Sequence, residues 1–285
     1  MTGTIDLKNI PCFGIAGNIA GHLEQAGEAK DFVNIKTAEE NAPKAIFPSY
    51  IPHVKSDGVV PDFLKVFPFS SEKIIFPSDT DGKLQIEPEC ALVCSVKWSG
   101  DSVEDLRPEY FCASNDCSIR REGAKKISEK KNWGKCSKGA SANLIPIEKF
   151  APDGIISTYR IASYLIRDGE IFEYGENSPV RNYSYFYEKL VRWIIEKINT
   201  QIDEGPVEKI RDYLIASSKP ERILISIGAT RYTEFGETHF LKNGDAAVVV
   251  LYPETEYSAD DIKGFLHEKD FSHKDISFLF EEVER

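Results

Sequence analysis

The run Gln85-Ile86-Glu87-Pro88-Glu89-Cys90-Ala91-Leu92-Val93-Cys94 constrains this chain more than any other stretch. It reads as a β-strand that starts with two carboxylates and then turns apolar, as a strand does on entering a core. Side chains alternate faces along a strand, so Glu87 and Glu89 point the same way. Two carboxylates on one face repel each other unless water or a cation lies between them. A solvated face with a Lys nearby is one reading. A divalent metal is the other.

A third carboxylate sharpens the choice. Tyr110-Phe111-Cys112-Ala113-Ser114-Asn115-Asp116-Cys117-Ser118-Ile119-Arg120 is a second apolar strand pattern, broken at the turn pair Asn-Asp. If this strand lies beside the first, Asp116 reaches the face of Glu87 and Glu89. Three carboxylates with open positions suit a hard cation such as Mg²⁺, Mn²⁺ or Ca²⁺, and not zinc.

These two segments carry a resemblance. The pattern Glu87-Pro88-Glu89, followed by Asn115-Asp116-Cys117-Ser118-Ile119-Arg120, resembles the metal site of the fumarylacetoacetate hydrolase family. Gly17-Asn18-Ile19-Ala20-Gly21-His22 is similar to that family's opening segment, and Phe63-Leu64-Lys65 to its Phe-x-Lys strand. Trp133-Gly134-Lys135 falls where the family has its Lys. Ile227-Gly228-Ala229-Thr230 and Leu241-Lys242-Asn243-Gly244-Asp245 are similar to its late loops. The matches run collinearly from about residue 13 to 252.

The resemblance implies an α+β, mainly β fold: a rolled, barrel-like mixed sheet with peripheral helices, assembled as a homodimer. It implies Mg²⁺ or Mn²⁺ (Ca²⁺ also fits the ligand set) on Glu87, Glu89 and Asp116. His22 becomes a candidate general base, with Glu24 to orient it. Lys135 and Arg120 become the groups that neutralise an anionic substrate, and Asn18, Lys65, Gly228 and Thr230 further substrate contacts. Three departures stand out. Gln25 holds the place of the carboxylate that partners the His in relatives, Gly123 stands in place of a Gln, and Ala229 interrupts the Gly-Thr pair.

The implied activity is that of a metal-dependent enzyme on a small 2-oxo or diketo acid, with hydrolysis of an acylpyruvate-type C–C bond placed first. An oxaloacetate-type decarboxylase, or an isomerase or hydratase, is the alternative on the same site. A non-catalytic protein of this fold that binds a metabolite is the alternative of another class.

Lys and Arg number 35 against 46 Asp and Glu, a net charge of −11, which argues against a general nucleic-acid or membrane-surface binder. No apolar run approaches a membrane span, and residues 1–6 lack the pattern of a signal peptide. Six Cys without a CxxC, three of them inside apolar strand patterns, read as reduced thiols of a cytoplasmic protein. The stretch 120–138 gathers Arg120, Arg121, Lys125, Lys126, Lys130, Lys131, Lys135 and Lys138. Most of it reads as a solvated face, with Arg120 and Lys135 set apart by the resemblance.

Residues 1–252 read as one core, with 29–62 as a lid or surface excursion. Residues 155–172 predict a hairpin around Asp168-Gly169. Residues 184–202 predict the main helix with Ser184 as its N-cap, and 206–216 a shorter one led by Pro206. Residues 253–285 predict a C-terminal extension of two helices, the first capped by Ser258 or Asp260.

Overall fold

The computed structural model describes residues 5–35, 37–55, 58–77, 82–120 and 123–285. The first strands are β1 (Cys12–Ala16), β2 (Ala45–Tyr50), β3 (Phe69–Ser70), β4 (Lys73–Ile75) and β5 (Leu84–Gln85). Next come β6 (Pro88–Ser99), β7 (Ser102–Asn115), β8 (Ser118–Ile119), β9 (Lys138–Ala140) and β10 (Ile145–Pro146). The last are β11 (Tyr159–Arg167), β12 (Glu170–Pro179), β13 (Arg222–Ala229), β14 (Ala246–Pro253) and β15 (Ser277–Glu284). The α-helices among the described residues are α1 (His22–Gln25), α2 (Tyr187–Thr200), α3 (Ile210–Ala216), α4 (Glu234–Thr238) and α5 (Ala259–Glu268).

Two mixed sheets carry the fold. The larger runs β2-β1-β13-β6-β7-β9-β3, with β10 paired to β7, and the smaller runs β12-β11-β14-β15-β4. Pairs β1/β13, β3/β9 and β4/β15 are parallel. Strands β5 and β8 form a separate two-stranded ribbon beside the start of β6. Leu92 on β6 and Phe111 on β7 share one core with Leu165, Val249, Leu251 and Leu279 from the smaller sheet. The Phe111 ring meets Tyr159 edge-on at 4.8 Å between centroids.

Strand β14 shows why its sequence lacks alternation. Ala247, Val249 and Leu251 face the core shared with the larger sheet. Val248, Val250 and Tyr252 face outward, but α5 covers them with Ile262 and Leu266. Both faces are therefore apolar, and each of those two helix side chains contributes about 1.5–3 kcal/mol by its burial. Helix α5 starts at a capping box: Asp261 N–H donates to Ser258 Oγ at 3.2 Å, and Ser258 N–H to the Asp261 carboxylate at 2.8 Å.

Several expectations are refined. The Asp168-Gly169 hairpin joins β11 and β12, with both turn residues at positive φ (54° and 82°), as a type I′ turn needs. Helix α2 begins at Tyr187, not near Ser184, because Ser184 N–H donates to Asn18 O at 2.8 Å and is held outside the helix. Helix α3 begins at Ile210, since the Pro206 carbonyl accepts the N–H of Ile127. The stretch 29–62 is not an excursion throughout: it supplies β2, buried at every residue and paired with β1. Within it, residues 36, 56 and 57 lie outside the described residues, as does Arg121.

The tail departs most from expectation. After α5 comes a strand, not a second helix. β15 alternates buried and more exposed residues, and it pairs with β14 on one side and β4 on the other.

Candidate metal centre

Strands β6 and β7 form a long antiparallel pair in which Pro88 faces Asn115 and Glu89 faces Ser114. This register sets Glu87 and Glu89, at the head of one strand, beside Asp116, just past the end of the other. Asp116 N–H donates to Glu87 O at 2.9 Å, and Glu87 N–H to Asn115 Oδ1 at 3.1 Å. The three carboxylates are buried, and each offers an oxygen within 4.8 Å of the others. Such a group can hold a metal ion.

Their environments differ. Lys131 spans two of them, with Nζ at 2.5 Å from Glu87 Oε2 and 2.7 Å from Asp116 Oδ2. Lys138, at the start of β9, pairs with Asp116 Oδ1. Arg120 Nη2 lies 3.1 Å from Glu87 Oε1. Burial works to raise the Glu87 carboxyl, but Lys131 and Arg120 overcome it and hold it at about 2. Glu89 has no ion-pair partner among the described residues; its Oε2 accepts the Gly228 N–H at 2.7 Å. Burial first, and Asp116 second, push its carboxyl well above the usual range. A buried carboxyl beside two others, without a cation of its own, is the feature that a divalent ion would satisfy. The oxygen-only donor set suits a hard ion.

Gly228 is required where it stands. A bulge in β13 opposite Glu89 gives it φ 117°, and a Cβ there would come within 3.0 Å of Asn18 Cβ. Thr230 follows, buried, with its N–H on Pro88 O at 3.0 Å. Gly228 meets the triad through its N–H on Glu89, whereas the Thr230 hydroxyl lies against Gly175 of β12.

His22 is buried on α1, with its ring 5.2 Å from that of Tyr232. Burial lowers its pKa, opposed first by the nearby Glu87, so the imidazole is neutral near pH 7. Its Nδ1 has no hydrogen-bond partner among the described residues. Gln25 does not orient it: its side-chain amide exchanges hydrogen bonds with the Tyr232 backbone, at 3.0 and 3.3 Å. Glu24 does not either. It is exposed, because the buried side of this short helix is His22 and Leu23. The nearby carboxylate is Glu28, which the turn at Gly27 brings inward, and which Arg120 Nη1 holds at 2.8 Å.

Arg120 is the centre of the remaining polar contacts. It donates to Gln85 Oε1 at 2.8 Å, Tyr232 Oη at 3.2 Å and Glu28 Oε1 at 2.8 Å, and it forms an ion pair with Glu87. With Glu28, Gln85 and Lys130 it lines a cavity of about 820 Å³ that also reaches Lys83 and Phe240.

Three expected contacts fall elsewhere. Lys135 is exposed, on a turn with positive φ at Gly134 and Cys136; the lysines at the triad are Lys131 and Lys138. Lys65 is exposed on a 3-10 turn and pairs with Asp62 at 2.8 Å. Asn18 is a backbone clamp: Nδ2 donates to Ile227 O at 2.8 Å and Tyr185 O at 3.1 Å, and Oδ1 accepts Tyr185 N–H at 2.9 Å. Asn18→Ala strands those buried groups. It is expected to lower the unfolding free energy by about 2–4 kcal/mol in urea melts; an unchanged midpoint would return Asn18 to ligand binding. The sequence reading missed Lys131, Lys138 and Tyr232. The two lysines sat in a basic stretch with no periodic signal to separate inward from outward residues.

The packed mixed sheets are those of the fumarylacetoacetate hydrolase fold, which the chain shares. It superposes on a crystal structure of Cg1458 with inhibitor at a TM-score of 0.52 and 16% identity, covering 96% of this chain and 76% of that one. It is also similar to 2-keto-3-deoxy-D-arabinonate dehydratase complexed with magnesium and 2,5-dioxopentanoate. There the TM-score is 0.50 and the identity 14%, over 96% of this chain and 72% of that one. At such identities the likeness is one of fold. By sequence, the chain belongs to the family described as a family of unknown function (DUF5718), which matches residues 28–283. No curated protein matches it.

Proposed function

We propose that the chain is a divalent-metal-dependent enzyme acting on a small 2-oxo or diketo acid, with hydrolysis of an acylpyruvate-type C–C bond placed first among the candidate reactions. The observation that carries this is Glu89, a buried carboxyl that faces Glu87 and Asp116 without a cation of its own. The dehydratase of similar fold, whose structure contains magnesium and a dioxo acid, supports the choice of ion and substrate class.

Glu87, Glu89 and Asp116 would hold Mg²⁺ or Mn²⁺. When bound, the ion supplies a Lewis acid for the carboxylate and keto oxygens of a 2-oxo acid. The chain's own residues do the rest. Arg120, on the wall of the cavity and held there by Glu28, Gln85 and Tyr232, supplies positive charge that would draw a second anionic group. Lys131 and Lys138 balance charge at the triad and stabilise negative charge that develops on substrate oxygen. His22, neutral because it is buried, is able to take a proton from water.

A second reading on the same site is a lyase of the decarboxylating kind. His22 Nδ1 has no orienting partner and Gln25 is committed to the Tyr232 backbone. A decarboxylation needs no water-activating base. Homodimer assembly and a cytoplasmic setting belong to the same proposal; the six cysteines, all unpaired and five of them buried, are consistent with a reducing compartment. No helix of the described residues is long and apolar enough to cross a membrane.

The test is calorimetric titration of metal-free protein with Mn²⁺, with and without oxalate, a two-oxygen chelator shaped like the head of an oxo acid. Binding that oxalate tightens at least about tenfold (about 1.4 kcal/mol) is expected. Acylpyruvates and oxaloacetate are then offered, and the products separate hydrolase from decarboxylase. Metal binding without turnover of either, and without an oxalate effect, would favour a metabolite-binding protein. No metal binding would overturn the proposal.

A further inference from the structure

Glu281 lies on β15, far in sequence from every residue of the triad, yet it reaches the same centre from beneath. Its side chain is wholly buried. One carboxyl oxygen, Oε2, accepts from Asn115 Nδ2 at 2.9 Å, and the other, Oε1, has no hydrogen-bond partner among the described residues. Asn115 is the hinge of the triad. Its Oδ1 accepts the Glu87 N–H at 3.1 Å, and the next residue in the chain is Asp116, whose N–H donates to Glu87 O at 2.9 Å. The fold reserves space for this carboxyl. A Cβ on Gly139 would fall 2.5 Å from it, so β9 passes Glu281 only because residue 139 has no side chain.

A side-chain amide has two unlike ends. An acceptor at position 281 draws the nitrogen of Asn115 toward itself and leaves the oxygen facing the Glu87 N–H. Turned the other way, Asn115 would set a donor against a donor and open the contact between the Glu87 and Asp116 strands. Burial, opposed by the Asn115 hydrogen bond and then by nearby Lys138, raises the Glu281 carboxyl to about 8, so near neutral pH it is mainly protonated. It then acts as a neutral hydrogen-bonding group and not as a further charge on the site.

We infer that Glu281 is a positioning residue for the acidic triad: by fixing the amide of Asn115 it sets Glu87 against Asp116, and so sets the affinity of the site for its ion. The inference rests on the metal-binding reading above. Partners that orient metal ligands in this way change metal affinity by about 10- to 100-fold when removed.

The experiment titrates Mn²⁺ into the wild type, Glu281→Leu and Glu281→Gln, with thermal melts of each. Leu fills the space without an acceptor, whereas Gln retains one. Weakening of about 10- to 100-fold is expected for Glu281→Leu and less than threefold for Glu281→Gln. A folded Glu281→Leu protein that binds Mn²⁺ within threefold of wild type would overturn the inference, whatever its melting temperature. If Glu281→Leu does not fold, Asn115→Ala takes its place: it should weaken Mn²⁺ by the same factor, and unchanged affinity would again overturn the role. Wild type that fails to bind Mn²⁺ would instead overturn the metal-binding reading, and this inference with it.

Discussion

Asp116→Asn is expected to lower the unfolding free energy by about 3–5 kcal/mol, and Lys138→Met in the same molecule to restore most of the loss. Asp116 stands between two buried ammonium groups: Lys138 is 1% exposed and Lys131 2%. Desolvating each of these charges is costly, and the Asp116 carboxylate is what offsets it. Asn keeps the shape but removes the charge, which leaves two cations to share Glu87. Burial already presses the Lys138 ammonium toward its neutral form, with Asp116 the main opposing influence. Met takes away that stranded charge and keeps the length of the side chain. A urea-denaturation cycle over the two singles and the double measures the coupling. A loss below about 1 kcal/mol in Asp116→Asn would show that these ion pairs do not hold the folded site together. Mn²⁺ titration gives an independent readout, since neither Asp116→Asn nor the stabilised double should regain binding.

The second large effect lies outside the site. Glu208 is buried, with Oε1 bonded to Ser128 Oγ and Oε2 without a partner among the described residues. Burial raises its carboxyl to about 7, against the opposing Ser128 hydrogen bond and Lys126 charge. The unfolded chain releases this proton near pH 4.5, while the folded chain keeps it until about pH 7. The stability it contributes is therefore complete below pH 4.5 and is lost as pH rises through about 7. The gap between those two values corresponds to about 3 kcal/mol. Glu208→Gln keeps an acceptor for Ser128 and cannot ionise. It should match wild type at pH 4.5 and exceed it by about 2–3 kcal/mol at pH 8 in urea melts. Stability curves of the two proteins that run parallel across this range would refute the assignment. The group matters to the centre by position, because Ser128 lies in the turn that leads to Lys130 and Lys131.

The acidic triad was legible because its geometry is local. Strand alternation alone puts Glu87 and Glu89 on one side, and an Asn-Asp break ends the partner strand where β6 begins. Lys131 and Lys138 were not legible for the opposite reason. The segment between β8 and β9 has no period; turns with positive φ at Gly123, Gly134 and Cys136 decide which lysine faces inward. Asn18 is a ligand contact only by resemblance; its amide suits a substrate and a backbone equally well, and the tertiary partners at Tyr185 and Ile227 distinguish the two. The tail misled in another way. Ser277, Leu279, Glu281 and Val283 are its inward residues, so half of the buried face is polar and the strand pattern is masked.

Strand β15 has one more consequence, for the order in which this protein can be made. It is synthesised after the other strands of the described residues, yet it sits between β14 and the early β4 and supplies the carboxyl beneath Asn115. A growing chain must therefore hold the β6–β7 hairpin, β14 and β4 in waiting, with an unfilled slot between the last two. Contacts that span most of the sequence close slowly, since loop entropy must be overcome before they stabilise anything. Until then β14 offers an open apolar edge to other chains. The centre would thus be completed only once β15 has been made and docked, and crowded nascent chains would be at their most aggregation-prone just before it forms.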